Sequence, residues 1–525
     1  MFDFSGLKLI KQSYDSFVGI RKSPSGEGFD FCLPNGFEDF PESDFDEIRN
    51  LFFKMYRTFG KFERDNVNTN RLNQNTPEYQ RDQDQTTLSS GGVSMQTEEG
   101  DVCVLYSKIK MIERMLNAYD DLTINSIQKK IRRSEDIDYS QIHKYLDRAI
   151  YLDNDVIHIE SMDLPLPIVR YESTDLVNLY CYILDEIVYQ LQEDVPDNIK
   201  ARLPDIRFLS QQFKDDYLTD NQSIFDKNTF IETINILKEA LDNIDKNTYY
   251  KDADYWQLYE AIETFLYGEL SPEQGDGEFW GIKGFSLVWE DMCHIFFFKK
   301  YFDEIIYADA DISLKQHHNP LRKESEKNRV GNYSTHDGSK KFNQWIYRKI
   351  SDIRYPNEDA FFGWNELLCI ELDINPGTLV YTNTRYSDFK QRDRSQTRFR
   401  RFLRPDLVLK SRKKTSIEQN NFDSNTKVRI IDYKYVPLNF YTNENLSGKS
   451  AKKFKEDIIK QLTYELAIQQ THTVSANWFF IPHYYKSQPN PNPWGEISLK
   501  LKDSGIEIFK ANFTLIQQVY LDEKL

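Results

Sequence analysis

Apolar residues return every three to four positions across 44–62 (DFDEIRNLFFKMYRTFGKF), at Ile48, Leu51, Phe52, Met55, Tyr56 and Phe59. That spacing predicts an amphipathic helix. The same rhythm predicts helices over 104–122, with Ile109, Ile112, Met115, Leu116 and Tyr119 on one side, over 174–193, and twice within 229–269. Residues 136–160 read as a capped helix followed by a short strand. Between 64 and 99, Asn, Gln, Asp and Thr displace almost every apolar residue. A segment with so little to bury does not offset its ordering entropy, so a flexible linker or long loop is expected. No period of about 20–50 residues repeats, which argues against a solenoid. After Gly268 the texture changes. Gly, Pro, Trp and Phe become common, β-rich stretches are predicted at 403–410, 427–436, 475–483 and 497–510, and helices near 286–300 and 454–470. The chain therefore divides into an N-terminal module (1–63), a linker (64–99), a mainly helical region (100–270) and a C-terminal α/β domain (271–525) with mixed strands and helices.

Composition bounds the reading further. The chain has 525 residues, 39% hydrophobic and 14% aromatic, enough for several packed cores, so wholesale disorder is excluded. No apolar run approaches the ~18–20 residues of a membrane helix, so no membrane association is expected. The first residues, MFDFSGLKLIKQSYDSF, lack the basic and apolar regions of a secretory signal. Five scattered Cys with no CxxC spacing point to reduced thiols and a cytoplasmic location, and against a zinc ribbon. The net charge of −16 speaks against nucleic acid until its distribution is seen. From Thr384 to Lys434 fifteen Lys and Arg stand against six Asp and Glu, a local +9.

The chemistry concentrates in RFLRPDLVLK (401–410) and KVRIIDYKYV (427–436). Alternation along the second strand puts Val428, Ile430, Asp432, Lys434 and Val436 on one face. Two charges among apolar neighbours are costly unless they are used or paired. With Asp406 following Pro405 at the start of the first strand, two carboxylates and one amine would share a pocket. Mg²⁺ takes carboxylate and water oxygens, usually through one or two protein carboxylates. A bound Mg²⁺ lowers the pKa of its water and stabilises charge on a phosphodiester under attack. The lysine would orient that water or hold the scissile phosphate. The competing reading is an Asp–Lys ion pair on an exposed strand.

Pro405-Asp406 with Asp432-Tyr433-Lys434 resembles the PD-(D/E)xK nuclease motif. FSLVWEDMCHIFF (285–297) resembles that family's first helix, with Glu290 at its helical acid. FKEDIIKQLTYELAIQ (454–469) resembles its following helix, where Asp457, Gln461 and Tyr464 at i, i+4 and i+7 look like the D…QxxY pattern of the McrC-like branch. With the IERML…IDY segment (112–139), the chain resembles LlaJI-type restriction endonucleases, the McrC-like subunits. The resemblance implies a restriction-endonuclease-like α/β (α+β) domain, a mixed central sheet flanked by helices, behind a mostly α-helical N-terminal half. It implies a Mg²⁺-dependent (Mn²⁺ substituting) endonuclease of double-stranded DNA, serving anti-phage defence with an McrB-like AAA+ GTPase engaged by residues 1–270. By that analogy Asp406, Asp432, the Tyr433 carbonyl and Glu290 hold metal, and Lys434 positions the water. Gln461 and Tyr464 contact the phosphate backbone or brace the site. Arg398, Arg400, Arg401, Arg404, Lys449, Lys452 and Lys453 supply a basic DNA surface. The stretch between Glu290 and Asp406 is longer than a minimal core needs and implies an insertion.

Other readings stay open: a transposon or recombination nuclease of the same superfamily, or a non-catalytic DNA-binding scaffold. Ser447-Gly448-Lys449-Ser450 imitates the end of a P-loop, but Asn443 stands where its first glycine belongs, so no nucleotide is expected on this chain. Glu366, Glu371 and Asp373 form a weaker second carboxylate cluster, and His317-His318 reads as surface loop. The aromatics of 289–307 read as core rather than as a base-stacking platform.

Overall fold

The computed structural model describes residues 4–522 outside several segments, the longest being 67–92, 268–278, 314–328, 349–360, 386–396 and 412–426. The chain folds as two compact units, one of Ile109–Leu270 with Met1–Asp3, the other of Phe4–Lys108 with Ser271–Leu525. In chain order, Ile109–Leu270 is an insertion into the second unit.

The inserted unit is built on helices Thr174–Leu191, Leu203–Tyr217, Phe230–Asn247 and Ala253–Tyr267. Leu237, Leu241 and Ile244 form a buried stripe with the period read from the sequence, whereas Thr174–Leu191 is buried at every position from Leu176 to Leu184. Tyr180 Oη donates to the Met115 carbonyl at 2.6 Å, tying in the helix Lys110–Asn117. Two readings are corrected here. The helix expected over 104–122 begins as a strand, Val102–Tyr106, and continues as two short helices, Lys110–Asn117 and Asp121–Gln128. VCVLY favours a sheet because its β-branched residues have a strand to pair with. Within 131–160, Ile131–Ile137 is a strand paired with Pro165–Val169, and Ile150–Leu152 pairs with Val156–His158. Most of the helix expected there lies outside the described residues.

In the second unit a six-stranded sheet orders Lys8–Ile10, Phe29–Cys32, Phe17–Lys22, Phe279–Lys283, Val102–Tyr106 and Val93–Gln96. Residues 1–63 are therefore not a separate module. Their strand Phe17–Lys22 pairs with Phe279–Lys283, and helix Phe45–Asn66 places Phe52 and Phe59 against Trp280, ring centroids 5.2 Å away in each case. Within the expected linker, that helix runs on to Asn66 and Val93–Gln96 is a strand paired with Val102–Tyr106. The rest of the linker lies outside the described residues.

Gly19 and Gly281 face each other across this sheet, with φ of 134° and 132°. A Cβ on Gly281 would lie 2.1 Å from the Val18 carbonyl oxygen, so only glycine lets the strands close. Gly281→Ala is expected to cost about 3 kcal/mol through strain and overpacking. Urea unfolding measures it, and an unchanged midpoint would contradict this account.

The second sheet has eight strands, in the order Phe361–Phe362, Trp345–Arg348, Ile305–Asp309, Leu407–Lys410, Lys427–Tyr433, Thr473–His483, Glu507–Asn512 and Gly495–Lys500. It is mixed. Lys427–Tyr433, Thr473–His483 and Glu507–Asn512 run parallel, and the other pairings are antiparallel. A parallel pair needs a crossover, which helix Gly448–Gln469 provides between Lys427–Tyr433 and Thr473–His483. The β-rich stretch expected at 497–510 lies in two antiparallel strands, Gly495–Lys500 and Glu507–Asn512. Trp289, Phe296, Phe297 and Phe298 of helix Ser286–Lys300 are buried, as the core reading of these aromatics expects.

Candidate active site at the ends of two strands

Leu407 pairs with Ile431, so antiparallel pairing brings Asp406, one step before Leu407, beside Asp432, one step after Ile431. Asp406 Oδ2 accepts the Tyr433 backbone N–H at 2.6 Å, which locks the two strand ends together. His294 of helix Ser286–Lys300 reaches the Asp406 carbonyl oxygen through Nε2 at 3.2 Å.

The strand Lys427–Tyr433 is central and buried on both faces from Ile430 onward, so its alternate side chains meet different helices. Tyr433 points to Ser286–Lys300, with its ring 4.9 Å from that of His294 and 6.2 Å from that of Phe297. Asp432 and Lys434 point to Gly448–Gln469. Lys434 Nζ lies 2.7 Å from Asp432 Oδ2 and 3.0 Å from Asp457 Oδ1. Asp432 is 1% exposed. Just beyond, Tyr435 is clamped by the N-terminal loop, where Asn35 N donates to Tyr435 Oη at 3.0 Å and Tyr484 N donates to the Gly36 carbonyl at 2.8 Å.

The charges divide the two acids. Burial, then the Asp432 carboxylate, raises the Asp406 pKa well above the usual carboxylate range, against the pull of Lys460 and Lys434. Burial raises Asp432 too, but the Lys434 and Lys460 ammonium groups and a hydrogen bond from Asp406 outweigh it and hold Asp432 below that range. Burial disfavours the Lys434 ammonium, but Asp432 and Asp457 more than compensate and keep it charged. Glu290 is partly buried on its helix, and its charge further raises Asp406. The neighbouring Asp291 is buried and accepts from Asn66 Nδ2 at 3.0 Å.

Asp457, Gln461 and Tyr464 share the buried face of Gly448–Gln469. Gln461 is 0% exposed, with Nε2 donating to Asn477 Oδ1, and Asn477 Nδ2 donates to Glu465 Oε2 at 2.7 Å. The Gln461 amide is therefore enclosed within the chain. Tyr464 is 3% exposed beneath Lys460. Lys449, Lys452 and Lys453 are exposed on the first turns of the same helix. That helix follows a short helix, Asn439–Thr442, and not the strand a P-loop requires.

Arg398, Arg400 and Arg401 sit on the strand Thr397–Phe402 of a separate three-stranded sheet, where Arg400 is the register partner of Glu371. Glu366, Glu371 and Asp373 belong to its middle strand, Glu366–Asp373, outside the sheet that carries Asp406 and Asp432. Arg404, His317 and His318 lie outside the described residues, as does much of the insertion expected between Glu290 and Asp406. The described part of that insertion contributes Ile305–Asp309, Trp345–Arg348 and Phe361–Phe362 to one side of the eight-stranded sheet.

Two site features went unread in the sequence. Asp457 is the second partner of Lys434, and Lys460 brings its Nζ to 4.0 Å from Asp432 Oδ1. The signal for Lys460 was its position, three residues after Asp457 and four before Tyr464, on the face already singled out.

Among the described residues no group of three or more His, Cys, Asp or Glu side chains converges as a metal site. The donor set at the strand ends is two adjacent carboxyl groups, Asp406 and Asp432. Hard oxygen donors in that number fit Mg²⁺. No protein-family model matches the chain, and no curated protein matches it. Among solved structures, it is similar to a chain of the refined half-complex from a tetradecameric assembly of Thermococcus gammatolerans McrB AAA+ hexamers with bound McrC. The identity is 8% and the TM-score 0.21, over 96% of this chain and 81% of that chain.

Proposed function

We propose that this chain is the nuclease subunit of an McrC-like, LlaJI-type restriction system, a cytoplasmic Mg²⁺-dependent deoxyribonuclease that hydrolyses phosphodiester bonds in double-stranded DNA. The observation that carries this reading is the meeting of Asp406, Asp432 and Lys434 at two adjoining strand ends, with Asp457 fixing the lysine from the crossover helix. That arrangement agrees with a PD-(D/E)xK core, and an exposed Asp–Lys pair does not account for an Asp432 that is 1% exposed. Asp406 and Asp432, with the Tyr433 carbonyl and Glu290, would hold Mg²⁺, which when bound lowers the pKa of a water and stabilises phosphoryl charge.

The chain's own residues do the positioning. The Lys434 ammonium has three donors, and Asp432 and Asp457 take two. The third is left, in a fixed direction, to orient an attacking water. Gln461 holds the crossover helix to Thr473–His483 through Asn477, so Asp457 and Lys434 keep their spacing. The exposed Lys449, Lys452 and Lys453 lead along the helix toward the site and suit a DNA backbone. An McrB-like AAA+ GTPase partner follows from the resemblance and from the insertion of a unit that contributes none of these site residues.

Plasmid cleavage with Mg²⁺, with and without the candidate GTPase and GTP, tests the reading. The expected result is linearised DNA that depends on metal and on GTP. Intact supercoiled DNA in the complete mixture would overturn it.

A further inference from the structure

We infer that Lys460 is the cation that contacts the scissile phosphodiester, a role separate from that of Lys434. The inference rests on the nuclease reading of the same site and assigns a residue to which the motif gives no part.

Asp432 is flanked by two ammonium groups on different oxygens, Lys434 at 2.7 Å from Oδ2 and Lys460 at 4.0 Å from Oδ1. The two lysines differ in what they have left to offer. The Lys434 side chain is 11% exposed and held by two carboxylates, so its ammonium is enclosed. The Lys460 side chain is 43% exposed, and its ion pair with Asp432 lies at the outer limit of contact. A lysine ammonium has three donors, and the long pair with Asp432 and a hydrogen bond to Tyr464 leave one for an incoming anion. Tyr464 supports it from below, with the Lys460 Nζ 5.6 Å from the ring centroid, so the ammonium is steadied beside the carboxylates while still facing solvent. A DNA strand reaching the carboxylates from solvent meets this ammonium before it meets Lys434.

Position along the helix agrees. Lys453 lies seven residues before Lys460, about 10 Å along the axis at ~1.5 Å per residue. The lysines of the first turns then serve flanking phosphates, and Lys460 serves the phosphate at the carboxylates.

The experiment uses the full chain and a short DNA duplex. Binding is measured without metal by anisotropy across a salt series, and cleavage by single-turnover rate at saturating DNA with Mg²⁺ and the GTPase. Lys460→Gln is expected to reduce the slope of log affinity against log salt by about one. It should also lower the single-turnover rate about a hundredfold, the order of losing one donor to a developing charge. Lys460→Arg should restore the slope and most of the rate, with thermal melting of both variants near that of the parent chain. Should the glutamine variant be unstable, the arginine variant carries the test, because a merely structural lysine predicts no retention of the slope. An unchanged slope and rate in Lys460→Gln would overturn the role of Lys460 and leave the nuclease reading intact. A parent chain that never cuts, but whose Lys460→Gln variant loses one unit of slope, would support the phosphate contact and overturn the nuclease reading instead.

Discussion

Asp432→Asn is expected to remove cleavage, by about a thousandfold or more, while the chain stays folded. The carboxylate is 1% exposed on a central strand, and asparagine keeps its shape, so no cavity opens. Breaking a buried ion pair usually costs about 3–5 kcal/mol because one charge is orphaned. Here Lys434 retains Asp457 at 3.0 Å, so the loss should be smaller, roughly 1–3 kcal/mol. Asparagine is a weaker ligand for a hard cation, and it no longer holds Lys434 from the strand side. Lys434→Ala makes the contrast, losing rate while calorimetry still detects Mg²⁺ or Mn²⁺, because both carboxylates remain. Cleavage at the parent rate by Asp432→Asn would remove the strand ends as the active site.

The second large effect is on folding. A fragment of residues 271–525 is expected not to fold by itself, although it contains every residue proposed for the chemistry. Its first strand, Phe279–Lys283, takes its neighbours from Phe17–Lys22 and Val102–Tyr106. Helix Phe45–Asn66 lies on Ser286–Lys300 and Phe513–Leu521, with Gln517 Nε2 donating to Thr58 Oγ1 at 3.0 Å and Asn66 bound to Asp291. Phe37 packs on Phe513 at a centroid distance of 5.0 Å. Each such side chain contributes about 1.5–3 kcal/mol, and losing several exceeds a typical stability of about 5–15 kcal/mol. By contrast, Tyr106 pairs with Gly281, so the chain leaves and rejoins this unit at adjacent strands. A chain in which a short flexible linker replaces Ile109–Leu270 should unfold cooperatively and keep metal-dependent cleavage, but lose GTP stimulation. Circular dichroism melting checks both. A cooperative melt of 271–525 alone would contradict the packing argument. Retained GTP response without the insertion would show that the insertion does not dock the GTPase.

The helices at 45–66, 230–247 and 253–267 were legible because the buried face of each leaves a 3.6-residue period in the sequence, whereas 174–191 is buried at every position from Leu176 to Leu184. The strand Lys427–Tyr433 was legible for a different reason. Its conspicuous charges, Asp432 and then Lys434 just past its end, stood out against an apolar run. Its reading as a one-sided alternating strand was incomplete, however. Ile431 and Tyr433 are buried as well, because helices cover both faces of a central strand and erase the alternation. The strand Ile305–Asp309 was missed because short pairings take their stability from neighbours distant in sequence.

By itself the sequence determined the chemistry of the candidate site. A carboxylate after Pro405, a second carboxylate and a lysine two residues apart in an apolar strand, and Asp457, Gln461 and Tyr464 on one helical face are local patterns, set by the periods of strand and helix. Tertiary structure alone decided three other things. It put residues 4–108 in the same unit as the C-terminal strands, because strands Phe17–Lys22 and Val102–Tyr106 are completed by Phe279–Lys283 from the far side of the insertion. It turned Gln461 inward, because its amide finds Asn477 on a strand whose parallel pairing no local pattern announces. It added Lys460 to the carboxylates. A lysine on a helix is ordinarily solvated, and this one stands beside Asp432 only because the crossover helix lies across the strand that carries it.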